Sequence, residues 1–237
     1  MKSCTIYENE GMRGITGDTL RPGGTLLTDR TVELCNFKPD DRILDVGCGM
    51  GVTVNRLKNL YGFNVYGVDP SIKLMNLGMQ KYGSIQIQQG CGEELPFKNS
   101  FFKGVLAECT MTLMDDYKKT INESHRVLEH GGYFTVSDVY ARYPEYLEDV
   151  KKYDIKSCMR GLFNIEELKE ALISSGFEII CFEDWSDLLK ELMVKIIFRY
   201  GSMSVFWETA ACSSCGDFQK KLTRCKPGYF FLIARKK

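Results

Sequence analysis

Ile43-Leu44-Asp45-Val46-Gly47-Cys48-Gly49-Met50-Gly51 is the stretch on which the reading of this chain turns. A short apolar run meets a carboxylate, and three glycines then alternate with other residues. The run reads as a buried strand. The glycines let it turn sharply into a helix and let another molecule approach the backbone closely. The first turn of that helix carries N–H groups without intrahelical partners. Together these features predict a small-molecule site where the strand becomes a helix.

Working outward, Val54, Leu57 and Leu60 keep helical spacing up to Tyr61-Gly62, and residues 65–68 form a second strand closed by Asp69-Pro70-Ser71. Ser71 suits the cap of a helix whose apolar positions are Ile72, Leu74, Met75, Leu77 and Met79. Residues 85–89 and 104–108 read as the third and fourth strands. Residues 115–129 read as a helix stopped by His130-Gly131-Gly132, and residues 133–139 as the fifth strand. Such alternation predicts parallel strands with right-handed crossovers, an open α/β sheet. Sheets of this kind bind ligands beyond the carboxyl ends of their strands, at the switch point, where Asp45, the glycines and Asp69 fall.

The flanks are less regular. Residues 1–37 read as a glycine-rich arm ending in a helix capped by Thr28 or Asp29 and running to about Asn36. Asn164 caps a helix over 165–175, residues 177–182 form a sixth strand, and 229–234 a last one. Between them residues 187–199 carry Leu188, Leu189, Leu192, Met193, Ile196 and Ile197 on one stripe. Residues 140–163 and 186–226 exceed ordinary connections and read as lids on a core of residues 38–139, all within one domain.

Lys+Arg and Asp+Glu both number 31, so no net field favours nucleic acid or an anionic membrane. Lys190, Glu191, Lys195 and Arg199 interrupt the most apolar late stretch, which argues against a spanning helix. Met1-Lys2-Ser3-Cys4 leads into polar sequence rather than a secretory segment. The 10 cysteines lack framework spacing, so the expected setting is a reducing cytoplasm.

The glycine turn lacks Gly-Lys-Ser/Thr, which sets it apart from a triphosphate loop. Asp45 would repel a pyrophosphate and suits an amine. Asp69 lies 24 residues on, where a carboxylate can accept both hydroxyls of a ribose. The plainer alternative is that both aspartates cap turns. Glu108 and Asp138, ending the fourth and fifth strands, are placed to face the same pocket, or to hydrogen-bond at turns. Tyr7, Arg13, Arg21, Tyr140 and Arg142 lie in the lids and suit an anionic or aromatic substrate. His125 and His130 sit away from the strand ends. Cys35, Cys109 and Cys181 lie on apolar elements and read as core.

With these motifs in this order, the chain resembles the class I S-adenosylmethionine-dependent methyltransferases, especially the branch of quinone-ring and many small-molecule enzymes. Asp45 to Gly51 resembles that family's first motif, and Val68-Asp69-Pro70-Ser71 its ribose-binding strand end. Glu94-Leu95-Pro96-Phe97 with Phe101-Phe102 is similar to its loop before strand four. Glu123, Arg126-Val127-Leu128 and Gly131-Gly132 resemble the helix and turn before strand five. Leu172 with Gly176-Phe177-Glu178 matches its late helix-to-strand step.

The resemblance implies a Rossmann-like α/β fold: a seven-stranded, mostly parallel sheet, helices on both faces, the last strand antiparallel. It implies S-adenosyl-L-methionine as cofactor, S-adenosyl-L-homocysteine as product and a small-molecule methyl acceptor, with no nucleic acid, membrane insertion or metal. The cofactor residues implied are Asp45, Gly47, Cys48, Gly49, Asp69, Pro70, Cys91, Gly92, Glu93 and Glu108, with Glu108 and Asp138 as catalytic candidates. Two positions depart from the family. Cys91 stands where an aspartate commonly receives the adenine amino group, and a thiol is a poor acceptor, leaving Glu93 or backbone carbonyls for that task. Phe102-Lys103 replaces the usual Phe-Asp. Two alternatives stand beside this reading. One is an arsenite-type metalloid methyltransferase using Cys212, Cys215 and Cys225, with Cys158 in the other lid. The other is a sensor that binds the cofactor without catalysis.

Overall fold

The computed structural model describes residues 5–8, 10–210 and 216–237. The chain begins with α1 (Thr5–Glu8), α2 (Glu10–Thr16) and α3 (Leu26–Cys35). Alternating elements follow: β1 (Arg42–Val46), α4 (Val52–Tyr61), β2 (Asn64–Asp69), α5 (Ile72–Tyr82), β3 (Ile87–Gln89) and β4 (Phe102–Glu108). Next come α6 (Tyr117–Val127), β5 (Leu128–Ala141), α7 (Leu147–Lys151), α8 (Ile165–Ser174) and β6 (Phe177–Asp184). Last are α9 (Ser186–Tyr200), α10 (Met203–Ala210), α11 (Gly216–Cys225) and β7 (Pro227–Lys236).

All seven strands join one sheet in the order β3-β2-β1-β4-β5-β7-β6. The pairs through β5 are parallel, whereas β7 runs antiparallel to both β5 and β6. This is the expected Rossmann-like sheet. Its order reverses between β1 and β4, which opens a crevice at their carboxyl ends.

Period-two alternation explains why the late strands read as unbroken apolar runs. Tyr229, Phe231 and Ile233 of β7 join one core with Val139 and Ala141 of β5, while Phe230, Leu232 and Ala234 join a second with Phe134 and Val136. Leu168 and Leu172 of α8 and Ile121 of α6 cover the second face. Leu27 of α3, Leu189 and Ile196 of α9, Trp207 of α10 and Phe218 of α11 cover the first. A third cluster packs Val54 and Leu57 of α4 over Ile43 and Val65.

Several boundaries differ from expectation, each for a local reason. α3 begins at Leu26, ahead of Thr28 and Asp29, because both side chains turn to partners elsewhere: Thr28 to Glu108, Asp29 to Arg56 and Tyr61. α6 starts after Asp116, whose carboxylate accepts the N–H groups of Lys118 and Lys119, and ends early because Leu128 already pairs in β5. The long connection before β7 is largely helical, and on α9 the stripe is narrower than its sequence suggests: Ile197 is exposed. Among the described residues, no helix is long and apolar enough to cross a membrane.

Candidate active site

The glycine turn is held in place from two sides. Gly47, Gly49 and Gly51 all have positive φ, and a Cβ on Gly47 would sit 2.0 Å from the Thr110 hydroxyl oxygen. The N–H groups of Gly47 and Cys48 donate to the Val68 carbonyl at 2.8 and 3.0 Å, tying the turn to β2. Asp69 then accepts the Gly49 N–H at 2.8 Å on one carboxylate oxygen and the Ser71 N–H at 2.7 Å on the other. Each oxygen has a further lone pair for a ligand. From below, α5 presses Gly78 so close to the turn that a Cβ there would lie 2.0 Å from the Met50 carbonyl oxygen.

Above this turn lies a cleft of about 760 Å³, open mouth included. The end of β4 forms its far wall. There the Glu108 carboxylate is nearly enclosed: Thr28 donates to Oε1 at 2.9 Å, Thr53 to Oε2 at 2.8 Å, and Arg21 pairs with Oε2 at 2.9 Å. Arg21 also donates to the Thr28 and Thr53 hydroxyls and to the Gly24 carbonyl. This buried network fastens the segment between α2 and α3 across the cleft, because a buried guanidinium and carboxylate each require partners.

The cleft is acidic. Glu8, Asp18, Asp69 and Glu108 line it; among the described lining residues Arg21 is the one cation, Lys81 pairs with Asp18 from outside the lining, and Asp45 is buried behind the turn. Burial, and next the Glu108 charge, push the Asp45 carboxyl well above its ordinary range, while Arg21 opposes that shift. Burial also raises Asp69, against the hydrogen bonds from Ser71 and Gly49 that favour its ionised form. Carboxylates raised by burial, with lone pairs left on Asp69, suit a cationic ligand that carries hydrogen-bond donors.

Of the residues expected at the site, Gly47, Cys48, Gly49, Asp69, Pro70 and Glu108 line the cleft. Asp138 does not. It is fully buried, accepts the Thr112 N–H at 3.1 Å, the Thr112 hydroxyl at 2.7 Å and the Val139 N–H at 2.8 Å, and is raised to about 6 by desolvation. The alternative of hydrogen bonding at a turn describes its placement. Cys91, Gly92 and Glu93 also lie outside the cleft lining: Gly92 packs against Met114 and Thr120, and Glu93 accepts the Asp115 N–H at 3.0 Å. Among the lid residues, Tyr7 and Arg21 reach the cleft. Tyr140 and Arg142 instead bind Asp184, and Arg13 pairs with Glu10. His125 lies edge-on to Phe177 beside β6. Glu8, Asp18, Thr28, Thr53, Thr110 and Gly78 are among the participants that sequence reasoning missed.

All seven described cysteines are free thiols. Cys35 is core as expected, and Cys181 is half-buried near Glu183. Cys109 lines the cleft rather than serving only as core, its backbone left-handed at φ 58°. Cys212 and Cys215 lie outside the described residues. Cys225 ends α11 and is fully buried, not part of a polar loop. Among the described residues, no three potential ligands gather as a metal site.

Comparison with known proteins agrees with this geometry. The family described as "Methyltransferase domain" matches residues 44–136. The chain is 26% identical over 213 residues to O-methyltransferase resE of Aspergillus sclerotiorum, covering 82% of this chain and 75% of that one. It is 24% identical over 182 residues to phosphoethanolamine N-methyltransferase 1 of Zea mays, covering 75% of this chain and 36% of the maize enzyme. Its fold superposes on Haemonchus contortus phosphoethanolamine N-methyltransferase 2, solved with S-adenosyl-L-methionine, with a TM-score of 0.72 at 19% identity. That match covers 96% of this chain and 56% of the worm enzyme, so the chain spans about half the length of that relative and about a third of the maize one. The glycine turn and the sheet order agree with these matches: residues 44–136 carry a methyltransferase domain, and the chain has the fold of the class I S-adenosylmethionine-dependent methyltransferases.

Proposed function

We propose that this chain transfers a methyl group from S-adenosyl-L-methionine to a small-molecule acceptor and releases S-adenosyl-L-homocysteine. One observation carries the proposal: among the described residues, four carboxylates line the cleft joining the glycine turn, Asp69 and the end of β4, and with Glu108 paired to Arg21 and Asp18 to Lys81, Glu8 and Asp69 leave a negative excess. A sulfonium with an ammonium and a carboxylate is net positive, and that excess matches it. In this reading Gly47, Cys48 and Gly49 present backbone to the amino-acid portion, and Asp45 supplies negative charge from behind them. Asp69 accepts the ribose hydroxyls, with Pro70 beside it. Glu93 has one buried carboxylate oxygen without a partner among the described residues and is assigned the adenine amino group, on the loop shaped by Cys91 and Gly92.

The bound cofactor supplies a methyl carbon on positively charged sulfur. An acceptor lone pair forms the new bond while the methyl–sulfur bond breaks with its electron pair on sulfur, and a protonated acceptor releases its proton to solvent. The chain contributes alignment and exclusion of water. Glu108 acts as a positioning residue by holding Arg21, and Asp138 by holding the turn at Thr112. Neither is assigned as a base. The fungal relative's name supports an oxygen as the methyl acceptor. A sensor without catalysis calls for a closed pocket, whereas this cleft continues into further space.

Calorimetric titration with S-adenosyl-L-homocysteine, followed by labelled-methyl transfer to a panel of phenols, quinols, thiols and amines, tests the reading. Saturable binding and at least one methylated product are expected. A protein that binds NAD but gives no heat with S-adenosyl-L-homocysteine would overturn it.

A further inference from the structure

Beyond Tyr7, Leu20 and Cys109, which belong to both spaces, the cleft continues into a second cavity of about 530 Å³, the open space at its mouth included. Its walls come from α2, the lid segment near Cys158, α9 and α10. None of its 17 lining residues carries a charged side chain. The polar groups present are already engaged. The Tyr7 hydroxyl accepts the Cys158 N–H at 3.4 Å, Ser157 accepts the Met159 N–H at 3.3 Å, and the free Cys109 and Cys158 thiols share a hydrogen bond.

We infer that this chamber is the acceptor site and that it takes a neutral, apolar molecule, an aromatic or terpenoid-like skeleton bearing one hydroxyl or thiol to be methylated. The inference rests on the methyltransferase reading above and specifies its substrate class. A phosphate, carboxylate or ammonium headgroup would enter without a counter-charge or a spare hydrogen-bond partner, and burying such an ion unpaired is strongly unfavourable. Met12, Met159, Met193 and Met203 line the chamber, and flexible thioethers adapt to irregular apolar shapes. The opening at Cys109 lies beside Gly47 and Glu108, so the chamber ends where the methyl group is expected to arrive.

Trp207 lines the chamber and is one of only 2 tryptophans, which provides a readout independent of turnover. In a Trp185→Phe protein, Trp207 reports alone. 4-Bromophenol, neutral at pH 7 and a heavy-atom quencher, should quench it saturably with S-adenosyl-L-homocysteine present. The charged analogues 4-bromobenzoate and 4-bromophenyl phosphate should bind at least about tenfold more weakly. Met193→Lys should abolish quenching by 4-bromophenol while S-adenosyl-L-homocysteine affinity stays unchanged; Met193→Phe, which narrows the chamber without adding charge or a second tryptophan, should weaken it. If S-adenosyl-L-homocysteine binds but 4-bromophenol does not quench, or the charged analogues bind equally well, the acceptor inference is overturned and the methyltransferase reading stands. Failure of S-adenosyl-L-homocysteine to bind overturns both.

Discussion

The Arg21 guanidinium lies 2.9 Å from the Glu108 carboxylate, with only 8% and 4% of the two side chains exposed. The pair joins the N-terminal segment to the end of β4, two regions that no local motif connects. Arg21→Ala leaves the Glu108 charge buried without its partner and should cost about 3–5 kcal/mol in urea unfolding. Pairing Arg21→Met with Glu108→Gln removes both charges. The double variant should be more stable than the two single losses added together.

Asp69 holds the turn through Gly49 and Ser71 and is proposed to meet the ribose. Asp69→Asn keeps the size but not the second charged oxygen. Calorimetry with S-adenosyl-L-homocysteine should show affinity lower by about 10- to 100-fold, the worth of a hydrogen bond to a charged group. Near-normal affinity in a folded variant would remove Asp69 from the cofactor site.

Asp45 and Asp69 both have their carboxyls raised, chiefly by burial. The cationic cofactor favours their ionised forms, so its affinity should weaken as pH falls, starting above the usual carboxylate range. Titrations with S-adenosyl-L-methionine at successive pH values measure this. Asp45→Asn should flatten the curve.

For Asp138 the sign is opposite to that of a salt-bridged acid. Its folded value is raised from 3.8 to about 6, so the folded state holds the proton more tightly than the unfolded chain. Its contribution to stability is therefore greatest below pH 3.8 and declines as pH rises through about 6. At neutral pH the penalty is at most about 3 kcal/mol. In urea unfolding between pH 4 and 7, the stability difference between wild type and Asp138→Asn should shift in this direction, with wild type relatively more stable at the acid end.

Gly78 lies outside the cleft lining yet presses on the glycine turn. In Gly78→Ala the new methyl meets the backbone of Met50, which cannot rotate away. A loss of about 1–3 kcal/mol in stability is expected from overpacking, with a parallel loss of S-adenosyl-L-homocysteine affinity because the turn itself must shift. A variant with lower stability and unchanged affinity would show that the two are uncoupled.

The features legible in the sequence were those written over a few neighbouring residues. β1 lies where the apolar run meets the glycine turn, and Ser71 and Asn164 cap their helices as their spacing suggests. Glu108 was found as a strand end, but its partners were not. Thr28 and Thr53 lie 80 and 55 residues away from it, and a threonine in a helix carries no mark of a distant carboxylate. Asp138 showed the limit of position as an argument: it ends up beside Thr112, not in the cleft. Gly78 did carry a signal. A glycine inside an amphipathic helix weakens it by about 1 kcal/mol relative to alanine, so its presence points to a close neighbour.

β7 lies between β5 and β6, and among the described residues β6 has no other neighbour in the sheet. During synthesis, then, β6 emerges before anything exists for it to pair with, and α9, α10 and α11 must follow before its partner appears. Until that strand slots in, β5 and β6 each expose an open edge to other nascent chains. Ribosome-bound fragments ending before residue 227 are therefore the forms of this protein that most need a chaperone.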